Sequence, residues 1–271
     1  MACRHALSIT AALCLALPAT QARALEADCF IRPSETVRIG APVNGIIAEI
    51  LPQRGDRVEA GSVLARLDTT LQEMNIQSAR ARTEDRAEIE AAEARIAFLT
   101  AQLDRFRTLA ERNVVSSAQV EETETELLVA ETDLLVAERN HALARTDLDI
   151  AKAERDRRTI RAPVAGYVVE RTLAPGEFWT ESQALMTLAA VDPLHVEASV
   201  DIAAFPLLRP GQTAQVTPEP PFDTPREAVV ELVDQVFDAA SGTVGVRLVL
   251  DNPDTALPAG LRCRVRFVAD G

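Results

Sequence analysis

Few side chains in this 271-residue chain could carry covalent or metal chemistry, and their spacing argues against most of it. His141 and His195 are far apart, and no Cys or His pair has the spacing of metal ligands. There is no glycine-rich phosphate loop, no nucleophile motif and no paired histidines. His195 lies in a β-type stretch with no sequence-local partner to make it a base, so a structural role is the stronger reading. Met74 and Met186 stand alone. No enzyme, no metal site and no cofactor is expected. What remains is the thiol chemistry of Cys29 and Cys263, which stand near opposite ends of the chain; Cys3 and Cys14 fall in its first segment.

That segment sets the compartment. Arg4 and His5 precede an apolar run from Ala6 to Leu17, followed by Ala22-Arg23-Ala24. The pattern is a secretory signal peptide over residues 1–24, with cleavage expected after Ala24. The run falls short of the roughly 20 residues that span a bilayer, so an uncleaved anchor is the weaker alternative. Neither Cys14 nor Cys29 follows the small residue that a lipidated cysteine would want, and no later stretch could span a membrane. A soluble, exported, periplasmic protein follows. In an oxidising compartment a Cys29–Cys263 disulfide is expected, two buried free thiols being the alternative. The formal net charge is −13, more negative still once Arg4 and Arg23 leave, which argues against nucleic acid and anionic membrane surfaces. With 4% aromatic and 25% charged residues, the composition favours a coiled coil with small β modules over one large core.

Two stretches of turn-punctuated, β-branched sequence repeat. VRIGAPVNGIIAEILPQRGDRVEAGSVLARLD begins at Val37 and TIRAPVAGYVVERTLAPGEFWTESQALMTLA at Thr159. Aligned without gaps, Ile39, Ala41, Pro42 and Val43 fall on Ile160, Ala162, Pro163 and Val164. Gly45, Gly55, Leu64 and Leu67 fall on Gly166, Gly176, Leu185 and Leu188. Glycine at Gly45, Gly55, Gly166 and Gly176 reads as turn positions that need positive φ. Each half, 37–69 or 159–189, is too small to bury a core, so the two are expected to close one β-sandwich together.

Between them, 70–158 reads as two helical arms meeting at a turn near Asn113 to Ser117. Ile89, Ala92, Ile96, Leu99, Leu103, Phe106 and Ala110 alternate three and four apart. Val120, Thr123, Leu127, Ala130, Leu134, Ala137, His141, Ala144, Leu148 and Ala151 do the same. A repeat of ~3.5 residues is a coiled-coil seam, here folded antiparallel on itself. At ~1.5 Å per residue each arm makes a rod of roughly 63 Å. His141 reads as a buried polar residue that fixes register, and the Glu and Asp of both arms as a solvated face. Asn75 to Asp85 is poor in seam residues and is expected to splay or to pack on neighbouring chains.

Residues 190–271 alternate again: Leu194, Val196, Ala198, Val200, and Leu261, Cys263, Val265, Phe267 with Arg262, Arg264 and Arg266 opposite. A small β-barrel closed by the last strand is expected, with segment 25–36 beside it so that Cys29 reaches Cys263. Asp201 to Leu208 reads as a short helix capped by Asp201. The fold class is thus α+β multidomain: a split β-sandwich carrying a long antiparallel helical hairpin, followed by a small β-barrel.

The half-motifs resemble biotinyl and lipoyl domains, which attach their cofactor to a lysine in the hairpin between the halves. Here the single lysine, Lys152, lies in the second helical arm, so a lipoyl or biotinyl carrier is the weakest alternative. The whole order, a lipoyl-like barrel-sandwich hybrid split by a helical hairpin and followed by a β-barrel behind a leader, resembles the periplasmic adaptor or membrane fusion protein family. The sharpest local match is Arg105-Phe106-Arg107-Thr108-Leu109 followed by Val114-Val115-Ser116-Ser117. In that family an Arg, a Leu four residues on and a Ser seven further form the contact with a TolC-like outer-membrane duct, and Arg105, Leu109 and Ser116 hold those positions. The resemblance implies a subunit of a tripartite export system, small-molecule efflux being favoured. It implies a ring of several copies joining the duct to an inner-membrane transporter, of resistance-nodulation-division type by preference or of ABC type. Family members usually add a membrane-proximal domain from both chain ends; with Gly271 directly after the barrel, docking by the barrel alone or through a partner is expected. A periplasmic coiled-coil scaffold without a transport partner is the alternative from another class.

Overall fold

The computed structural model describes residues 25–181 and 183–268, so the leader reading and Cys3 and Cys14 lie outside the described residues. In chain order the strands are β1 (Leu25–Ile39), β2 (Gly45–Ile50), β3 (Arg57–Val58) and β4 (Val63–Leu67). Three helices follow, α1 (Thr70–Glu84), α2 (Ala87–Glu111) and α3 (Ser117–Asp156). Then come β5 (Thr159–Arg161), β6 (Gly166–Arg171), β7 (Phe178–Trp179), β8 (Met186–Asp201), β9 (Thr213–Pro218), β10 (Arg226–Val233), β11 (Thr243–Leu250) and β12 (Arg262–Phe267). Contacts divide the chain into a unit of Glu35–Ala190 and a unit made from the segments to either side of it.

In the first unit the repeat is written into the backbone hydrogen bonds. β2 pairs with β7 through Gly45↔Trp179 and Ile46↔Phe178, while β3 pairs with β6 through Val58↔Gly166 and Arg57↔Tyr167. Gly55 N–H donates to Val168 O and Gly176 N–H to Ile47 O, each at 2.8 Å. Within the halves the same bond recurs, Leu51 N–H donating to Leu64 O at 2.9 Å and its counterpart Thr172 N–H to Leu185 O at 3.0 Å, while the cross-pairings join one half to the other. Each half therefore satisfies the other's backbone, and their side chains share one core in which Leu64, Leu67, Leu185 and Leu188 are buried with Ile47 and Val168.

The four repeat glycines do different work. Gly55 and Gly176 sit at φ +94° and +90°, the left-handed conformation that the turn reading requires. Gly45 and Gly166 instead open β2 and β6 without positive φ, which corrects their reading as turn residues. Their reason is space. A Cβ on Gly166 would overlap the carbonyl of Ala189 in the neighbouring strand, and one on Gly45 would come 3.0 Å from the Arg158 guanidinium and 3.5 Å from Leu67 Cδ1.

The sandwich also ties off the helical insertion. Leu67 N–H donates to Arg158 O at 2.9 Å, Arg158 Nη1 to Asp68 O at 3.0 Å and Arg157 Nη2 to Pro42 O at 3.1 Å, so both ends of the insertion are held side by side. The Asp68 carboxylate accepts from the Thr70 hydroxyl and N–H, each at 2.7 Å, and these bonds hold its pKa below the usual carboxylate range. α3 is one helix of 40 residues, about 60 Å at ~1.5 Å per residue.

The opposing arm is two helices, not one. Asp85 N–H closes α1 on Ala81 O at 3.2 Å, and the Asp85 carboxylate accepts from Ala87 N–H at 3.0 Å to open α2. That takes from Thr83 O its helical donor, and His141 Nε2 donates to Thr83 O at 2.9 Å instead. Nor does Asn75 to Asp85 splay: Gln72, Ile76 and Ala79 are buried on the face of α1 that meets α3. Alternation there is thinner because Gln72, Ala79 and Thr83 stand where an apolar repeat would place large side chains.

In the second unit, β12 lies between β1 and β9, and the order runs on through β10 and β11 to β8. Alternate residues of β8, β9, β11 and β12 form its core, Leu194, Val216, Val246, Leu248 and Val265 among them. Cys29 faces Cys263 across β1 and β12, and the two form a disulfide. On the other face of that pair Arg266 binds Glu26 at 2.7 Å and the Arg262 guanidinium lies 6.0 Å from the Phe30 ring centre. The segment after Asp201 is a 3-10 helix, Ile202–Leu207, whose Ala203 N–H donates to the Asp201 carboxylate at 2.8 Å. Buried Asn252 bonds Val191 O and both backbone groups of Leu257, which fixes the loop after β11.

Gly166→Ala is expected to destabilise the chain by about 1–3 kcal/mol, since a strand must shift to admit the methyl group. Gly45→Ala is expected to cost under about 1 kcal/mol, because its closest neighbour is a flexible side-chain end. Urea unfolding of both variants measures the difference, and equal losses would contradict the assignment.

Candidate docking site at the hairpin tip

The tip is built by two local signals. α2 ends as Asn113 turns left-handed at φ 55°, with Asn113 N–H bonded to Ala110 O at 2.9 Å and Val114 N–H to Leu109 O at 3.0 Å. This pair of bonds is a Schellman closure, and Asn tolerates its left-handed residue better than any branched side chain. α3 is capped by Ser116, whose backbone is extended and whose side-chain oxygen accepts from Gln119 N–H at 3.3 Å. The reversal thus occupies only Arg112 to Ser116.

The structure brings the three residues singled out in the sequence to this end. Arg105 and Leu109 are one helical turn apart in the last part of α2, and Ser116 is the cap of α3. Arg105 is exposed, Leu109 half-buried and Ser116 exposed. Among the described residues the Arg105 side chain has no hydrogen-bond or ion-pair partner. Its neighbour Arg107 does: Nη2 meets Glu124 Oε1 of α3 at 2.8 Å. Arg107 directly follows seam residue Phe106 and Glu124 directly follows seam residue Thr123, which places both on one side of the seam. Arg105, directly before Phe106, is turned to the other side. Sequence reasoning missed the Arg107–Glu124 bridge, although these positions beside the seam carry the signal.

Chemically the tip offers a planar guanidinium, an apolar contact and a hydroxyl. The Ser116 oxygen is already accepting as a cap, so its O–H is what remains to donate. Arginine and hydroxyl donors suit the free carbonyls at the ends of helices. No group of three His, Cys, Asp or Glu fit to hold a metal ion occurs among the described residues. No helix among them is long and apolar enough to cross a membrane.

Two family models cover this architecture. One described as CzcB-like, barrel-sandwich hybrid domain matches residues 35–190, and one described as CusB-like, beta-barrel domain matches residues 193–271. The chain belongs to the periplasmic adaptor, or membrane fusion protein, family. Macrolide export protein MacA of Yersinia pestis is 28% identical to this adaptor over 237 residues, 84% of this chain and 63% of the relative. Pyoverdine export membrane fusion protein PvdR of Pseudomonas putida is 27% identical over 266 residues, 88% of this chain and 67% of its own. Nodulation protein NolF of Rhizobium meliloti is 26% identical over 233 residues, 85% of the adaptor and 59% of its own. The chain thus spans half to two thirds of the length of these curated relatives, down to 50% for the Escherichia coli O157:H7 MacA. The crystal structure of MacA from Actinobacillus actinomycetemcomitans shares the fold, with TM-score 0.76 at 19% identity over 90% of this adaptor and 78% of that chain.

Asn113→Val is expected to cost the adaptor about 1–2 kcal/mol, the penalty of a left-handed branched residue, while Asn113→Gly is neutral or slightly stabilising. Urea unfolding followed by helical circular dichroism tests the pair; a tolerated valine would contradict the tip geometry.

Proposed function

We propose that this protein is the adaptor subunit of a tripartite export system. It joins an inner-membrane transporter, of the resistance-nodulation-division or ABC class, to a TolC-like outer-membrane duct as a ring of copies. Arg105, Leu109 and Ser116 carry the duct contact. The observation that carries the reading is the unpartnered arginine at the end of a helical rod whose neighbour Arg107 is already engaged. Relatives named as macrolide and pyoverdine export proteins support export, with small molecules as the favoured cargo. The reading is non-enzymatic: force, shape and contact reside in the rod, and cargo chemistry does not enter.

Arg105→Asp is expected to abolish export in a duct-dependent assay, because a carboxylate would face carbonyl oxygens instead of donating to them. Circular dichroism should stay unchanged, since Arg105 supports no contact of the fold. Unaltered export would overturn the tip assignment.

A further inference from the structure

In the second unit, strands β8 to β12 follow one another in the chain, whereas β1 comes from before Glu35 and is separated from them by the whole of the first unit. It pairs with β12 and also with β8. Without β1 the edge of β12 would be bare, and the core would lie open where Ile31, fully buried, and Cys29 now sit. The space beside β12 is a slot for one extended segment.

Both faces of that slot are selective. Inward, Cys29 and Ile31 are buried, and Leu25 and Ala27 pack partly on the same core. Outward, Arg262, Arg264 and Arg266 of β12 stand opposite Phe30, Asp28 and Glu26 of β1. Arg266 meets Glu26 at 2.7 Å, Arg264 lies 3.9 Å from Asp28, and the Arg262 guanidinium lies 6.0 Å from the Phe30 ring centre. In a chain of net charge −13, three arginines in one row favour an acidic partner strand. Beyond them Ile31 N–H donates to Leu261 O at 2.8 Å and Gly260 N–H to Ile31 O at 2.7 Å. A strand that fits therefore alternates small or apolar residues with acids and carries isoleucine at its far end.

We propose that this slot recognises an extended acidic strand as a separable ligand, that its natural occupant is the segment Leu25 to Arg32 of the same chain, and that the Cys29–Cys263 disulfide is the latch that makes the occupancy permanent. The two cysteines are 234 residues apart, so β1 has no covalent hold on the barrel until β12 exists. Both are shielded in the finished barrel, Cys29 being 2% and Cys263 5% exposed. The bond therefore forms while β1 is loosely seated, and once β1 is home it is closed to exchange. The chemistry is thiol–disulfide exchange with a disulfide-bearing oxidant. One cysteine thiolate attacks the oxidant and releases one of its thiols; the other displaces the second thiol from the mixed disulfide, so the cysteines are oxidised and the oxidant leaves as a dithiol. The proposal does not rest on the export reading.

The test uses the full chain carrying Cys29→Ser and Ile31→Asp, which frees Cys263 and weakens the chain's own claim on the slot. In a glutathione redox buffer, a synthetic peptide of the sequence Leu25 to Pro33 should become disulfide-bonded to Cys263, located by mass mapping of the Cys263 fragment. Capture should be about tenfold faster than for a scrambled peptide of the same composition, and about tenfold slower in the Cys29→Ser chain, whose own β1 fills the slot. The native oxidised chain should capture none. Equal capture of the two peptides, or capture by the single variant as fast as by the double, would overturn the proposal. A second measurement does not depend on the folding of the double variant. In the Cys29→Ser chain a small maleimide should label Cys263 slowly, and adding Arg264→Glu and Arg266→Glu should speed the labelling about tenfold by repelling β1. Equal labelling rates would also overturn it.

Discussion

Mutual completion of two half-motifs is the constraint from which the Glu35–Ala190 unit follows. Neither half has enough surface to bury a core, and each donates the backbone hydrogen bonds that the other's turns and short strands need. Whatever chain lies between them must leave and return at neighbouring points. An antiparallel hairpin does so at no topological cost, and the bonds between Leu67, Asp68 and Arg158 hold its two ends at that spacing. A rod can thus grow from the sandwich without straining it.

The rod is held by a thin seam, rich in alanine and with Thr123 buried at it. Small seam residues bring the arms close but bury little area per turn, so the register needs other sources of definition. His141 is one, because it bonds the carbonyl released by the break at Asp85, a group found at one height only. The Arg107–Glu124 bridge is exposed and contributes modestly to stability, yet its position beside the seam ties the register near the tip. A break in one arm and an unbroken partner give the hairpin a defined height along its length. A fixed height is what a contact at its end requires.

Much of this was legible in the sequence because alternation and repetition are properties of residue order. The seam residues named from spacing are the less exposed residues of α2 and α3, and the gapless alignment of Ile39 to Leu67 with Ile160 to Leu188 anticipates the reciprocal pairing. What was not legible depends on which atoms compete for one hydrogen bond. Asp85 stands in a charged run with nothing to mark it as a cap rather than a surface acid. Gly45 and Gly166 look like turn glycines until a neighbouring strand shows what crowds them. At the tip, Arg105 and Arg107 are the same letter two residues apart, and only the position of Glu124 across the seam tells the engaged one from the free one.

The duct contact we propose lies at the free end of the hairpin. A photo-crosslinking amino acid placed at Val114, 68% exposed in the tip turn, reads that surface in living cells without altering Arg105, Leu109 or Ser116. Mass spectrometry of the adducts should identify an outer-membrane duct protein as the crosslinked partner. Adducts only with other copies of this chain, or none at all in a cell that exports, would contradict the account.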